Sequence, residues 1–462
     1  MLAFLHNQLG KFGEVKYGEI RFHDRKKTEI IVRNGELKKN SVDNYCGIGI
    51  RVFINCWGFA ATSSLKKEAI EKAIQNAITA AKLVTKSQDI EFAVPKERLA
   101  KGLFLSPPDI DSPDISLEEK IEIIQRTERE VRNSSQIRAA TVQFLEYSDH
   151  KYILTSDGAE AEIKNNRVDF KVMAVAGKDN ELMNAREGRG ISGKLMDIFK
   201  EKSPEEIAQR AAKRAIELLK APYPPGGEAM VILDPSLVGL LVHEAIGHTV
   251  EADDVLAGAA AQGKINQKVA SELITLVDNG LPPYNNIRPA GILLVDDEGI
   301  LSQRTVIIEN GILKSYLHSR ESAFRLGAEP TGNARAFEYS NQPIIRMSNT
   351  YVEPGNSSFE EIVGKTKDGY LMKKWAGGMA DLNGEFMFSA EEIYKINNGK
   401  IGELLRGTSF SGQAFEVLKT VDMVSKDFEI NMGDGHCGKF LQQAKVDGGG
   451  PYLLCKVKIG GK

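Results

Sequence analysis

Seven residues, Ala221-Pro-Tyr-Pro-Pro-Gly-Gly227, constrain this chain more than any other stretch. Prolines remove backbone donors and fix φ, while paired glycines leave the backbone without a preferred region, so neither a helix nor a strand ladder runs through them. A chain of 462 residues has the length for two domains. The break sets them at 1–222 and 228–462. With 42% hydrophobic and 27% charged residues, each half can bury a core.

The pattern differs on the two sides of the break. Before it, period-two alternation marks strands at 17–23 and 28–33 around the polar stretch Asp24-Arg25-Lys26-Lys27, read as a turn, and again at 47–54 and 57–61. A helix follows over 65–84 with Ser64 as its cap. Two more helices open at Ser116-Leu-Glu-Glu119 and Ser203-Pro204-Glu-Glu206, both capping boxes. Further strands fall at 139–148, 152–155 and 167–177, and Gly188–Gly193 reads as a loop, not a phosphate cradle. After the break, 229–233 reads as a buried strand, and Asp234-Pro235 starts a helix. From there on the text is rich in strands and glycine turns, at 291–295, 304–308, 312–317, 385–388, 393–396, 439–444 and 452–457. The expected class is α+β: an N-terminal antiparallel sheet with packed helices, and a C-terminal β-rich domain carrying one important helix.

Charge and cysteine content narrow the functional classes. The net charge of -3 argues against a broad basic face, so direct nucleic-acid binding is not expected. No run of about 18 apolar residues occurs, and the first residues read as an amphipathic helix, so neither a membrane span nor a signal peptide is expected. Four cysteines, Cys46, Cys56, Cys437 and Cys455, form no CxxC pair. That pattern suits a reducing compartment, and a cytoplasmic protein is expected, with Cys46, Cys56 and Cys455 structural.

The informative segment is Val242-His243-Glu244-Ala245-Ile246-Gly247-His248. Two imidazoles flanking a glutamate on a helix suit hydrolytic zinc, since neutral ring nitrogens hold the ion and the carboxylate takes a proton from water. In the common form the histidines are four apart. Here they are five apart, which on a regular α-helix separates them by roughly 140°. A π-turn brings them together, or Gly247 ends the helix and lets His248 fold back. Either way the helix must be distorted between Glu244 and His248. Third-ligand candidates are Glu251, Asp253, Asp254 and Cys437 in Gly433-Asp-Gly-His-Cys-Gly-Lys439, with His436 a competing donor. Sulfur in a glycine-rich loop is the favoured choice. The competing view is a pair of ordinary histidines without metal.

The ordered set of motifs resembles one known family. His243-Glu-Ala-Ile-Gly-His248 with Glu251 and Asp253 is similar to the signature of the TldD/PmbA family, once described as modulators of DNA gyrase and also as zinc metalloproteases. Gly47-Ile-Gly-Ile-Arg51, Gly58-Phe-Ala-Ala-Thr62, Pro330-Thr-Gly-Asn-Ala-Arg335, Arg346-Met-Ser-Asn-Thr350 and Cys437-Gly-Lys439 agree in the same order. The resemblance implies one Zn2+ per chain on His243, His248 and Cys437, with Glu244 as general base. It also implies a dimer enclosing the active site, either a homodimer or a heterodimer with a motif-lacking homologue. The chain departs from the pattern at His436, where a smaller residue is usual, and at Thr249-Val250.

The expected activity is hydrolysis of unfolded or extended peptides, bound by strand addition. Glu251 or Asp253 is expected to orient a ligand histidine, and Lys439 or Arg335 is a candidate oxyanion donor. The rival readings are a non-catalytic peptide-binding or regulatory subunit with a structural zinc, and a nucleic-acid modulator.

Overall fold

A computed structural model describes the chain except for residues 1, 14, 85–89, 93, 107–114, 283–287, 434 and 462. The fold is α+β, with an N-terminal sheet that is antiparallel but for one edge and a β-rich C-terminal part.

The N-terminal sheet is built from long strands: β1 (Tyr17–Arg33), β2 (Glu36–Phe53), β3 (Trp57–Thr62), β4 (Lys101–Ser106), β5 (Ile137–Thr155), β6 (Glu160–Lys178) and β7 (Glu181–Ser192). Their order is β3-β2-β1-β5-β6-β4, with β7 also on β6. All pairs are antiparallel except β4 with β6. The longest strands have 19 residues, roughly 60 Å when extended. That length lets one sheet carry two separate cores. At one end α1 (Leu2–Leu9) and α2 (Lys67–Lys82) cover Ile20, Phe22, Ile48 and Ile50. At the other, α3 (Leu117–Val131), the short α4 (Leu195–Ile198) and α5 (Pro204–Lys220) cover Val142, Phe144, Phe170 and Val172.

The structure differs from several local expectations. Asp24–Lys27 is no turn but the middle of β1, where Arg25 is buried and its guanidinium donates to Asp149 at 2.6 Å. That partner lies 124 residues away, beyond any local pattern. The chain reverses instead at Asn34-Gly35, both with positive φ (50° and 81°), as a two-residue hairpin turn requires. The 139–148 and 152–155 strands are one element, β5, and Gly188–Gly193 runs mostly within β7. Helix α2 starts at Lys67 after Lys66, with no side-chain cap, whereas the capping boxes at Ser116 and Ser203 are both made. Cys46 and Cys56 are only half-buried, while Cys455 is fully buried.

The C-terminal sheet begins with β8 (Gly227–Leu233), whose neighbours are Asp368–Ala380 and Asp447–Ile459. Because Asp447–Ile459 also reaches Glu385–Asn397 through Ser409–Gln413, these strands close a ring. The sheet is mixed, not purely antiparallel: β8 pairs in parallel with Asp368–Ala380, and Asn349–Val352 does so with Asp447–Ile459. Residues 291–295 form no ladder, since Leu293 N donates to Gly280 O and Ile292 O accepts from Arg167. The expected 312–317 strand is only Ile312–Leu313, and 439–444 is a hairpin, His436–Lys439 with Gln442–Lys445. Helix α6 (Pro235–Leu240) packs on the ring, in a core with Phe386, Phe388 and Phe410.

The two halves meet through buried polar contacts. Arg51 donates to Glu298 at 2.6 Å, Lys151 to Asp297 at 2.7 Å, and His436 Nε2 lies 2.8 Å from Asp169.

Candidate metal centre

Helix α6 is launched by Asp234, whose side chain accepts from Leu237 N at 2.9 Å and from Lys374 N at 3.0 Å, with Pro235 at the first helical position. The helix does not end at Leu240. It widens into a π-turn over Leu241–Gly247, where the His248 N–H bonds to the His243 carbonyl, five residues back. A 3-10 turn, His248–Val250, follows, and then α7 (Ala252–Leu256).

The wide turn has a direct consequence. Residues five apart return to one face, and the His243 and His248 rings stand 5.4 Å apart at 82°. Of the two distortions the spacing allows, the π-turn is the one present. Gly247 makes it fit: a Cβ there would lie 2.0 Å from Met347 Sδ and 3.2 Å from the Val242 carbonyl.

Cys437 arrives from the far end of the chain on the His436–Lys439 strand. Its sulfur lies 3.2 Å from His248 Nε2, and donor atoms of His243, His248 and Cys437 all lie within 4.8 Å of one another. The hairpin is held from behind. Arg346 donates to the carbonyls of Cys437 at 2.6 Å and Gln442 at 3.1 Å, and Arg335 donates to Lys445 O at 2.6 Å. At the hairpin tip Phe440 and Leu441 both take positive φ (48° and 61°) and are exposed. Bulky side chains rarely accept that backbone, and such strain gathers at functional sites.

The remaining polar side chains form a support. His248 Nδ1 lies 2.9 Å from Glu251 Oε2. Lys439 Nζ reaches Glu251, Asp253 and Asp254, each at 2.8 Å. Glu244 is about a third exposed (35%), with Oε2 3.8 Å from His248 Nε2. A second acid-and-imidazole group, His248 with Glu251 and Asp254, is also compact enough to hold an ion. In that group, however, both carboxylates already receive Lys439.

Electrostatics favour the sulfur set. Burial pushes the Cys437 thiol up, but His243 and His248 more than offset it and hold it down at about 5, so it is a thiolate at neutral pH. Burial pulls both imidazoles down, yet each ends above its ordinary value: His243 through Cys437 and Glu244, His248 chiefly through Glu251 and Cys437. Burial raises Glu251, and His248 and Lys439 reverse that, leaving it at about 2.

One observation tests whether a metal suits this set. His243 is 1% exposed, and neither of its ring nitrogens makes a well-aligned hydrogen bond, the Cys437 sulfur being its nearby acceptor. Buried polar atoms are rarely orphaned, and orphaning costs about 1–3 kcal/mol. A divalent ion shared with a neighbouring thiolate and a second imidazole removes that deficit. The residues fit a borderline-soft metal.

The structure thus brings together His243, Glu244, His248 and Cys437, with Glu251 beside them. His436 is turned away onto Asp169, and Lys439 and Arg335 are engaged by carboxylates and carbonyls instead of facing the cluster. Sequence reasoning missed Arg346 as the brace on the Cys437 carbonyl. Its segment was legible as a motif, but nothing local reveals a partner 91 residues away.

Comparison with known proteins finds matches along most of the chain. Family models described as PmbA/TldA metallopeptidase domain 1, central domain and C-terminal domain match residues 18–81, 110–219 and 226–461. A metalloprotease of Methanocaldococcus jannaschii is 37% identical over 441 residues, covering 94% of this chain and 95% of the relative. A zinc metalloprotease TldD homolog of Saccharolobus solfataricus is 31% identical, covering 96% of each. The solved structure of TldE from Thermococcus kodakarensis shares the fold, with a TM-score of 0.74 at 20% identity over 99% of both chains.

Proposed function

The chain belongs to the TldD/PmbA metallopeptidase family, and from this membership we propose a zinc-dependent peptidase that hydrolyses unfolded or extended peptides. The observation that carries the reading is the π-turn that sets His243 and His248 against Cys437, with no well-aligned hydrogen bond at either His243 nitrogen.

In this reading His243, His248 and Cys437 hold one Zn2+ per chain. When bound, zinc supplies Lewis acidity toward water and toward a scissile carbonyl. Glu244 is the general base: beside the cluster and partly open to solvent, it takes a proton from the attacking water and hands it to the leaving amine. Glu251 accepts from His248 Nδ1, which fixes the tautomer and keeps Nε2 facing Cys437. Lys439 neutralises the acids behind that contact. The Cys437 hairpin is two-stranded, so an extended peptide can add to its edge through backbone hydrogen bonds that ignore side-chain identity.

Two observations shape the rest of the proposal. The compact sulfur set has three donors among the described residues, which favours a catalytic site with a vacant position over a closed structural zinc. No helix of the described residues is long and apolar enough to cross a membrane. The assembly we propose with this reading is paired, a homodimer or a heterodimer with a motif-lacking homologue, as the family resemblance implies.

The test is zinc content and cleavage of unfolded peptides in the parent and in Glu244→Gln. The variant should keep about one zinc and lose roughly 10²–10⁴-fold in kcat. A parent that holds zinc but cleaves none of a varied peptide set would leave the peptide-binding subunit as the reading.

A further inference from the structure

Three guanidinium groups lie in the interior without a carboxylate. Arg167, Arg335 and Arg346 are at most 7% exposed, and their hydrogen bonds go to backbone carbonyls, of Ile292, of Met347 and Lys445, and of Cys437 and Gln442. Neighbouring charges are paired differently: Arg25 with Asp149, Lys151 with Asp297, and Lys445 with Asp169. Among the described residues no ion pair joins an acid to any of the three arginines. Buried charges normally have such partners, because an uncompensated one is costly.

All three line one largely enclosed cavity of about 50 Å³ between the N-terminal sheet and the Cys437 hairpin. Arg25, Lys151 and Lys445 share its wall, against the carboxylates of Asp149 and Asp297. Arg25 Nη1, Arg167 Nε and Arg346 Nε are buried donors with no partner. Burial, with Arg167 and Arg346 alongside, pulls Arg335 down to about 9. The space exceeds the roughly 10–15 Å³ that one water needs.

We propose that this cavity binds a small inorganic oxyanion of the phosphate class, held by Arg167, Arg335 and Arg346, and that filling it braces the hairpin that carries Cys437. Forked guanidinium donors converging from several elements suit an ion with several acceptor oxygens, and a doubly charged one offsets most of the excess. The enclosure excludes a peptide chain. The bracing follows from the bonds already made, since Arg346 and Arg335 hold the carbonyls of Cys437, Gln442 and Lys445.

The test is equilibrium dialysis of the full chain with radiolabelled inorganic phosphate at fixed ionic strength, together with thermal melting. One phosphate per chain should bind saturably and raise Tm where matched chloride does not. The double variant Arg167→Gln/Arg335→Gln should bind roughly tenfold or more weakly and lose the Tm shift. Arg126→Gln, the same charge change on an exposed side chain, should keep both. Non-saturable binding, or affinity undiminished in the double variant, overturns the proposal. Should the double variant fail to fold, the parent still decides: a buried site keeps its stoichiometry in about 0.5 M NaCl, whereas screened surface binding is lost and refutes it.

Discussion

The middle of β1 and the π-turn both bury histidine, and they treat it in opposite ways. In the N-terminal sheet, His23 is 2% exposed and lies 2.8 Å from Asp149, which also takes the Arg25 guanidinium. One carboxylate there is shared by an imidazole and a guanidinium. In the π-turn, His243 is as deeply buried but makes no well-aligned hydrogen bond at either nitrogen and has only the Cys437 sulfur beside it. The sheet gives its buried histidine a carboxylate. The turn leaves a deficit, together with a glycine wedged against Met347 and two strained residues at the Cys437 hairpin tip. Unsatisfied and strained groups collect where something else is meant to bind.

The largest break in that contrast comes from Gly247→Ala. The added methyl collides with Met347 Sδ and crowds the Val242 carbonyl, so the turn must shift. Urea unfolding should show a loss of about 1–3 kcal/mol, the range for overpacking a filled core, and bound zinc should fall well below one per chain. Retention of full zinc would mean the π-turn geometry does not matter for the metal.

A smaller effect is expected from Glu251→Gln, which keeps the shape but removes the carboxylate behind His248. Zinc affinity should fall 10–100-fold, the usual cost of losing such an orienting partner, as read by chelator competition. The same change leaves Lys439 with Asp253 and Asp254, so the fold should persist by circular dichroism.

The smallest effect belongs to the sheet and is seen through pH. Burial, with Lys151 nearby, lowers His23 to about 4 despite Asp149, and burial lowers His318 similarly. The folded state therefore excludes protons that the unfolded chain takes up below its ordinary value of about 6.5. Stability is fully present above that value and is lost as pH falls toward 4. His23→Gln should flatten the slope of stability against pH between 6.5 and 4 without changing zinc content at neutral pH. An unchanged slope would show that His23 titrates normally.

These cases also show what the sequence made legible. The capping boxes at Ser116 and Ser203 and the helix start at Asp234-Pro235 depend on residues within three positions, and all are present. The need for a distortion between Glu244 and His248 followed from helical arithmetic alone. Asp24–Lys27 misread as a turn because its stabilising acid, Asp149, sits on a strand far along the chain. Asn34-Gly35 carried a strong hairpin signal that a polar stretch ten residues earlier obscured. Lys439 was legible as conspicuous but not as the shared partner of three acids, since those contacts exist only once the hairpin meets α7.

X-ray absorption at the zinc edge of the purified, zinc-loaded chain tests the central claim most directly. One sulfur at about 2.3 Å and two imidazole nitrogens at about 2.0–2.1 Å, with a light fourth neighbour, are predicted. A spectrum without sulfur, or one fitted only by oxygen ligands, would place the metal elsewhere and contradict the account.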